Sequence, residues 1–79
     1  MKAILKLSES NYEVQQVLYL DVLPEKGDQF FLDDFLTESE EVYLLNNENI
    51  RNHDNFFVEA KTWLQKDGET YVYIWLIQQ

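Results

Sequence analysis

Two alternating segments near the carboxyl end, joined by the sequence KDG, limit most strongly what this chain can fold into. In Phe56 to Gln65 and in Thr70 to Gln78, side-chain character changes with a period of two. That period belongs to a β-strand and not to a helix. Because only a short turn separates the segments, they are predicted to form an antiparallel hairpin.

The length of the hairpin turn decides which side chains share a face. A two-residue turn at Asp67-Gly68 sets Lys61 beside Ile74. A three-residue loop, Lys66 to Gly68, with the glycine in a bulge sets Lys61 beside Tyr73 instead. We predict the longer loop because it separates an aliphatic face from an aromatic and charged one. The pairs on the second face are Trp63–Tyr71, Lys61–Tyr73, Glu59–Trp75 and Phe57–Ile77.

Three further strands are predicted upstream of this hairpin. Each alternates in character, and their ranges are Lys2 to Ser8, Tyr12 to Val22 and Gln29 to Leu32. A helix competes for the second range, since Ser10 and Glu13 have capping-box spacing, but alternation over the whole range favours a strand. Lys2 and Lys6 share the outward face of the first strand and would discourage edge-to-edge pairing if that strand lay at a sheet margin.

One helix is predicted within Asp34 to Asn47, where Thr37 and Glu40 have capping-box spacing. Acids crowd its amino-terminal half, where the helix dipole favours them. The segment NNENIRNHDN that follows is rich in turn-forming side chains and predicts a loop.

These elements predict one small domain over residues 1–79, mainly β (α+β) in class and ordered β-β-β-α-β-β. Five antiparallel strands in a short chain tend to form a curled sheet or a small, partly open barrel. The short acidic helix would cover one end or one face.

The stretch VLPEKGDQFFL contains the only proline and one of the two glycines. It matches no phosphate-binding glycine pattern, and its surroundings are acidic. Pro24 cannot donate to a strand ladder, and Gly27 can adopt a positive φ. We therefore predict a structural corner with Leu23 and either Phe30 or Phe31 reaching the core.

The chain is strongly acidic, with 15 acids, 6 bases and a formal net charge of −9. Such a surface repels nucleic acids and anionic membranes, so neither is an expected partner. Seven acids and one base, Arg51, lie between Asp33 and Asp54, giving this stretch −6. No cysteine is present, and the start lacks the apolar run of a signal peptide. A soluble cytoplasmic protein is expected.

No arrangement of residue types predicts catalysis or metal binding. His53, the only histidine, is expected in a polar, solvated loop with no serine placed to serve as its nucleophile. The carboxylate pairs Asp33-Asp34 and Glu40-Glu41 are adjacent in sequence, so their side chains diverge. We expect no enzyme activity, no bound metal and no cofactor.

The aromatic hairpin face is the best candidate for a binding surface. Its predicted members are Trp63, Tyr71, Tyr73, Trp75 and Lys61. Tyrosine and tryptophan are enriched in protein interfaces, and they also fill cores, so both interpretations stay open. Base stacking would need a basic groove, which the sequence lacks.

The strand MKAILKL, the corner PEKGD and the terminal hairpin together resemble small uncharacterised proteins of Bacteroidetes and their mobile elements. The resemblance implies a compact β-rich domain of unknown function. It carries no catalytic residue over to this chain.

Two functional hypotheses follow. The first is a non-enzymatic interaction or structural module that binds a protein partner or forms a homodimer through the aromatic hairpin face. The alternative is an acidic inhibitor, or nucleic-acid mimic, of a mobile element. It would bind a basic partner through residues 33–54, with Asp33, Asp34, Glu38, Glu40 and Glu41 as its surface.

Overall fold

The computed structural model describes all 79 residues and consists of five strands, one α-helix and one short 3₁₀ helix. The predicted mainly-β class and the order β-β-β-α-β-β are confirmed. No helix has the length and apolarity needed to cross a membrane. The elements are β1 (Lys2–Leu7), β2 (Glu13–Tyr19), β3 (Gln29–Phe30), the 3₁₀ helix (Leu32–Phe35), α1 (Glu38–Glu48), β4 (Phe56–Lys66) and β5 (Glu69–Gln78).

The strands form one curled sheet, a half-barrel, in the order β2-β1-β5-β4-β3. All pairings are antiparallel except β1 with β5, which is parallel. The sheet is therefore mixed, and the prediction of five antiparallel strands is wrong for this one pairing. Since β1 lies inside the sheet, Lys2 and Lys6 do not protect an edge, and five of the six β1 residues are buried.

The predicted three-residue loop is wrong, because the β4–β5 hairpin closes through a two-residue turn in which Asp67 (φ 53°) and Gly68 (φ 80°) both adopt the positive φ of a type I′ turn. The predicted register is correct near Phe57 and Val58. It is wrong from Ala60 onward, where a bulge at Glu59 shifts the pairing by one residue. Trp63 consequently lies opposite Val72 and Lys61 opposite Ile74, with Ala60 opposite Trp75.

One face of the sheet forms the core. Both helices pack on it, α1 through Leu44 and the 3₁₀ helix through Leu32, each completely buried. The buried strand residues on this side are Ala3, Leu5, Leu7, Val14, Leu18, Phe56, Val58, Val72, Ile74 and Leu76.

The predicted capping box is present at the start of α1. The Thr37 hydroxyl accepts a hydrogen bond from the Glu40 backbone N–H, and the Glu40 carboxylate accepts one from the Thr37 N–H. The helix ends at Glu48, one residue beyond the predicted range, because Asn49 adopts a left-handed conformation with φ 57°.

The segment between β2 and β3 is a corner, as predicted. Gly27 has φ 94°, and its N–H donates to the Val58 carbonyl at 2.8 Å. The Val58 N–H in turn donates to the Asp28 carbonyl at 2.8 Å, so the corner bonds to β4 beside the bulge. Leu23 and Phe30 pack against the core, whereas Phe31 is exposed.

Replacing Gly27 should destabilise the fold through backbone strain alone. Open space surrounds the position of an added Cβ, but a β-branched residue is strained at φ 94°. We expect Gly27→Val to lower the free energy of unfolding by about 1–2 kcal/mol in urea denaturation. The matched control Lys26→Val, at the preceding exposed residue, should change it by less than about 0.5 kcal/mol. Equal stabilities for the two variants would contradict this account of the corner.

Candidate functional site

The sheet face opposite the helices is rich in aromatic rings and lysines. We call it the aromatic–lysine face and define it by Lys2, Lys6, Tyr19, Tyr71, Tyr73 and Trp75. The parallel β1–β5 register sets Lys2 beside Tyr71 and Lys6 beside Trp75, while β2 adds Tyr19 opposite Lys2. Side chains at paired positions point to the same side of a sheet, so three strands build this surface together.

Both lysine ammonium groups lie within cation–π distance of rings. The Lys6 Nζ is 4.8 Å from the ring centroid of Tyr73 and 5.1 Å from that of Trp75. The Lys2 Nζ is 5.6 Å from Tyr71 and 5.9 Å from Tyr19. The ring quadrupole attracts a cation at such distances, so the lysines order the rings while the rings cover the lysine stems.

Most of the polar atoms of this face have partners within the chain. Lys2 forms an ion pair with Glu69, and this hydrogen bond raises the lysine pKa. The Tyr73 hydroxyl donates to Glu13 at 3.2 Å, and burial together with this carboxylate raises the tyrosine pKa. The Trp75 Nε1–H donates to the Thr62 hydroxyl at 2.9 Å. The Lys6 ammonium is held only between its two rings and forms no ion pair.

The structure brings together three of the five predicted interface residues: Tyr71, Tyr73 and Trp75. The shifted register places Trp63 and Lys61 on the opposite side of β4. There Trp63 is 55% exposed, and the Lys61 Nζ donates to the Pro24 carbonyl at 3.1 Å. The prediction that all five share a face is therefore wrong, because it assumed a three-residue loop and no bulge at Glu59.

Sequence reasoning missed Lys2, Lys6 and Tyr19 as members of this face. The alternation of β1 already put the two lysines on one side of that strand. That alternation does not show which strand lies beside β1, because no local pattern indicates that the first strand pairs with the last.

Glu40 is not a surface residue as predicted, because only 1% of it is exposed. Its carboxylate accepts hydrogen bonds from the Tyr12 hydroxyl at 2.7 Å, the Gln15 N–H at 3.0 Å and the Thr37 N–H at 3.0 Å. Burial alone would raise the carboxyl pKa, but these hydrogen bonds outweigh it and hold the pKa below its ordinary value. Glu40 therefore joins α1 to β2.

Asp33, Glu41 and His53 meet although they come from three different segments. The His53 Nδ1 is 3.1 Å from the Asp33 Oδ1 and 3.9 Å from the Glu41 Oε1. A hydrogen bond between the carboxyl groups raises the pKa of Glu41, and this bond and His53 lower that of Asp33. The His53 side chain is only 15% exposed, so the expectation of a solvated loop histidine is wrong.

The same trio is the one group of side chains that offers metal-ligating atoms close together, all within 4.8 Å. It supplies one nitrogen and two carboxylate donors, one fewer than a four-ligand structural zinc site. Since His53 bonds to Asp33 at 3.1 Å and lies 3.9 Å from the Glu41 carboxylate, these contacts already explain a structural role in holding the loop after α1.

The remaining acids of the predicted acidic surface, Asp34 and Glu38, are exposed. The inhibitor hypothesis thus loses Glu40 from its surface and otherwise stays a prediction.

A cavity of about 240 Å³ contains the Ser10 hydroxyl but no basic side chain that could activate it as a nucleophile. Its lining residues are Leu7, Glu9, Ser10, Glu48, Ile50, Phe56, Leu76 and Gln78.

Comparisons with protein-family models, with curated proteins and with solved structures find no match to this chain.

Removing the Glu40 carboxylate should destabilise the domain strongly. Glu40→Ala leaves the Tyr12 hydroxyl and two backbone N–H groups without their acceptor, so we expect a loss of roughly 2–4 kcal/mol at neutral pH. The control Glu38→Ala, an exposed acid in the same helical turn, should change stability by less than about 0.5 kcal/mol. Chemical denaturation measures both, and similar losses would contradict a special role for Glu40.

The same carboxylate predicts a pH dependence of stability. Because its folded-state pKa is lowered, the stabilisation is present above the ordinary value of 4.5 and is lost as the pH falls through the folded-state pKa. Glu40→Gln should therefore lose less stability than the wild type between about pH 5 and pH 3. Parallel acid-induced declines in the two proteins would show that Glu40 does not contribute to the dependence.

Proposed function

We propose that this chain is a non-enzymatic protein-interaction module that self-associates through the aromatic–lysine face. The observation that carries this proposal is that both helices pack on the other side of the sheet, so no other element covers the four rings. Lys6 is buried beneath two of these rings, and Lys2 lies beside the other two. Tyr19 at its margin is 74% exposed.

The chemistry of the face suits a contact with another protein. Tyrosine and tryptophan supply large, stiff contact areas and are enriched among residues that dominate binding energy. The Trp75 indole and the Tyr73 hydroxyl already have acceptors within the chain. A partner can therefore cover the rings without leaving these two donors unpaired.

The charge distribution supports a second copy as the partner. Glu13 and Glu69 lie exposed beside the face and Lys2 lies within it, so a two-fold contact can oppose unlike charges. The strongly acidic stretch 33–54 contains α1 and most of the 3₁₀ helix, which both pack on the opposite side of the sheet. Association through the aromatic–lysine face therefore separates the two acidic stretches, which reduces repulsion.

The two tryptophans provide a matched pair of variants for sedimentation equilibrium. Trp75→Ala removes a ring from the face and should weaken dimerisation by about tenfold or more. Trp63→Ala removes the same side chain from the other side of the sheet and should leave dimerisation within about twofold of the wild type.

Since Trp75 also packs within the sheet, the more exposed Tyr19 gives a variant that preserves the fold. Tyr19→Ala should weaken dimerisation severalfold with unchanged circular dichroism. A wild-type protein that stays monomeric at about millimolar concentration would overturn the proposal. Equal losses from Trp63→Ala and Trp75→Ala would overturn it as well.

A further inference from the structure

The outer edge of β4 is an open strand edge over most of its length. β3 pairs with β4 only at Phe56 and Phe57, and the corner extends this contact as far as Val58. Beyond the bulge at Glu59, the stretch from Lys61 to Gln65 pairs with β5 alone.

The hairpin geometry identifies the backbone groups that face outward. Lys66 and Glu69 flank the two-residue turn and form a hydrogen-bonded pair, as such turns require. Hydrogen-bonded and non-hydrogen-bonded pairs alternate along an antiparallel ladder. The N–H and C=O groups of Lys61, Trp63 and Gln65 therefore point to the free edge, and no backbone contact outside the strands involves them.

At the opposite margin of the sheet, a side chain of α1 covers part of the β2 edge. There the Gln15 N–H of β2 donates to the buried Glu40 carboxylate at 3.0 Å. The β4 edge has no equivalent cover, and it presents Trp63 with 55% of its surface exposed.

The open part of this edge is locally basic, between the flanking acids Glu59 and Asp67. From Ala60 to Lys66 the strand contains two lysines and no acid, whereas the formal net charge of the chain is −9. A second copy would bring two lysine-bearing strands together within a strongly negative pair of molecules. An extended acidic segment instead gains opposite charges as well as backbone hydrogen bonds.

We propose that the β4 edge binds an extended acidic segment of another protein by adding a strand to the sheet. Backbone groups of Lys61, Trp63 and Gln65 supply the ladder hydrogen bonds. Lys61 and Trp63 lie on one side of β4 and Lys66 lies on the other. The Lys61 and Lys66 ammonium groups therefore select acidic side chains on opposite sides of the added strand, and Trp63 covers an apolar part of the segment on the Lys61 side. This surface is distinct from the aromatic–lysine face, so the proposal does not depend on self-association.

Two capped seven-residue peptides, one alternating threonine with glutamate and one alternating threonine with lysine, test the proposal by NMR. The acidic peptide should shift the amide resonances of Lys61, Trp63 and Gln65. At saturation it should slow their hydrogen exchange by about fivefold or more. The basic peptide should do neither at the same concentration. Equal effects of the two peptides, no effect at these amides, or shifts confined to Tyr71, Tyr73 and Trp75 would overturn the proposal.

A charge reversal with a matched control adds a second readout. Lys61→Glu should weaken binding of the acidic peptide by about tenfold. Lys26→Glu, the same change at an exposed corner residue, should alter it by less than about twofold. Equal losses of peptide binding in the two variants would show that only the net charge of the protein matters, and would overturn the proposal. Sedimentation of Lys61→Glu should match the wild type, which separates this outcome from that of the proposed self-association.

Discussion

The parallel pairing of β1 with β5 is the contact on which the rest of the structure depends. In the strand order β2-β1-β5-β4-β3, it is the only ladder that joins the first two strands to the last three. It pairs all six residues of β1, from Lys2 opposite Tyr71 to Leu7 opposite Leu76. Parallel strands cannot be joined by a tight turn, so the long intervening chain, helix included, forms the connection. The same ladder completes the core on one face and the aromatic–lysine face on the other.

A single bulged residue separates the two candidate binding surfaces. Before Glu59, Phe56 and Val58 place their side chains on the core side, and after it the odd-numbered residues take that side. The corner at Gly27 and Asp28 bonds to Val58, immediately before the bulge, and stops there. As a result Trp63 leaves the aromatic–lysine face and stands on an open strand edge. Bulges bend a strand and redirect side chains, and here this places one tryptophan on each side of the sheet.

The acidic character of the chain serves two physical purposes in the structure. Glu40 is a buried carboxylate whose hydrogen bonds compensate its removal from water, and it ties α1 to the edge of β2. Asp33 and Glu41 surround His53 and hold the loop after the helix. These acids are structural, although their sequence context does not distinguish them from the exposed Asp34 and Glu38 beside them.

Local pattern alone determined the strands, the capped helix and the corner. Alternation, capping-box spacing and glycine at a positive φ act over a few residues, and the structure contains each of these features. The sequence also determined that Tyr71, Tyr73 and Trp75 share a face, because they alternate within one strand. Only the tertiary structure decided which lysines join them and that Trp63 and Lys61 do not. Strand pairing between distant segments and a bulge at Glu59 depend on packing across the whole sheet, which no short segment of sequence specifies.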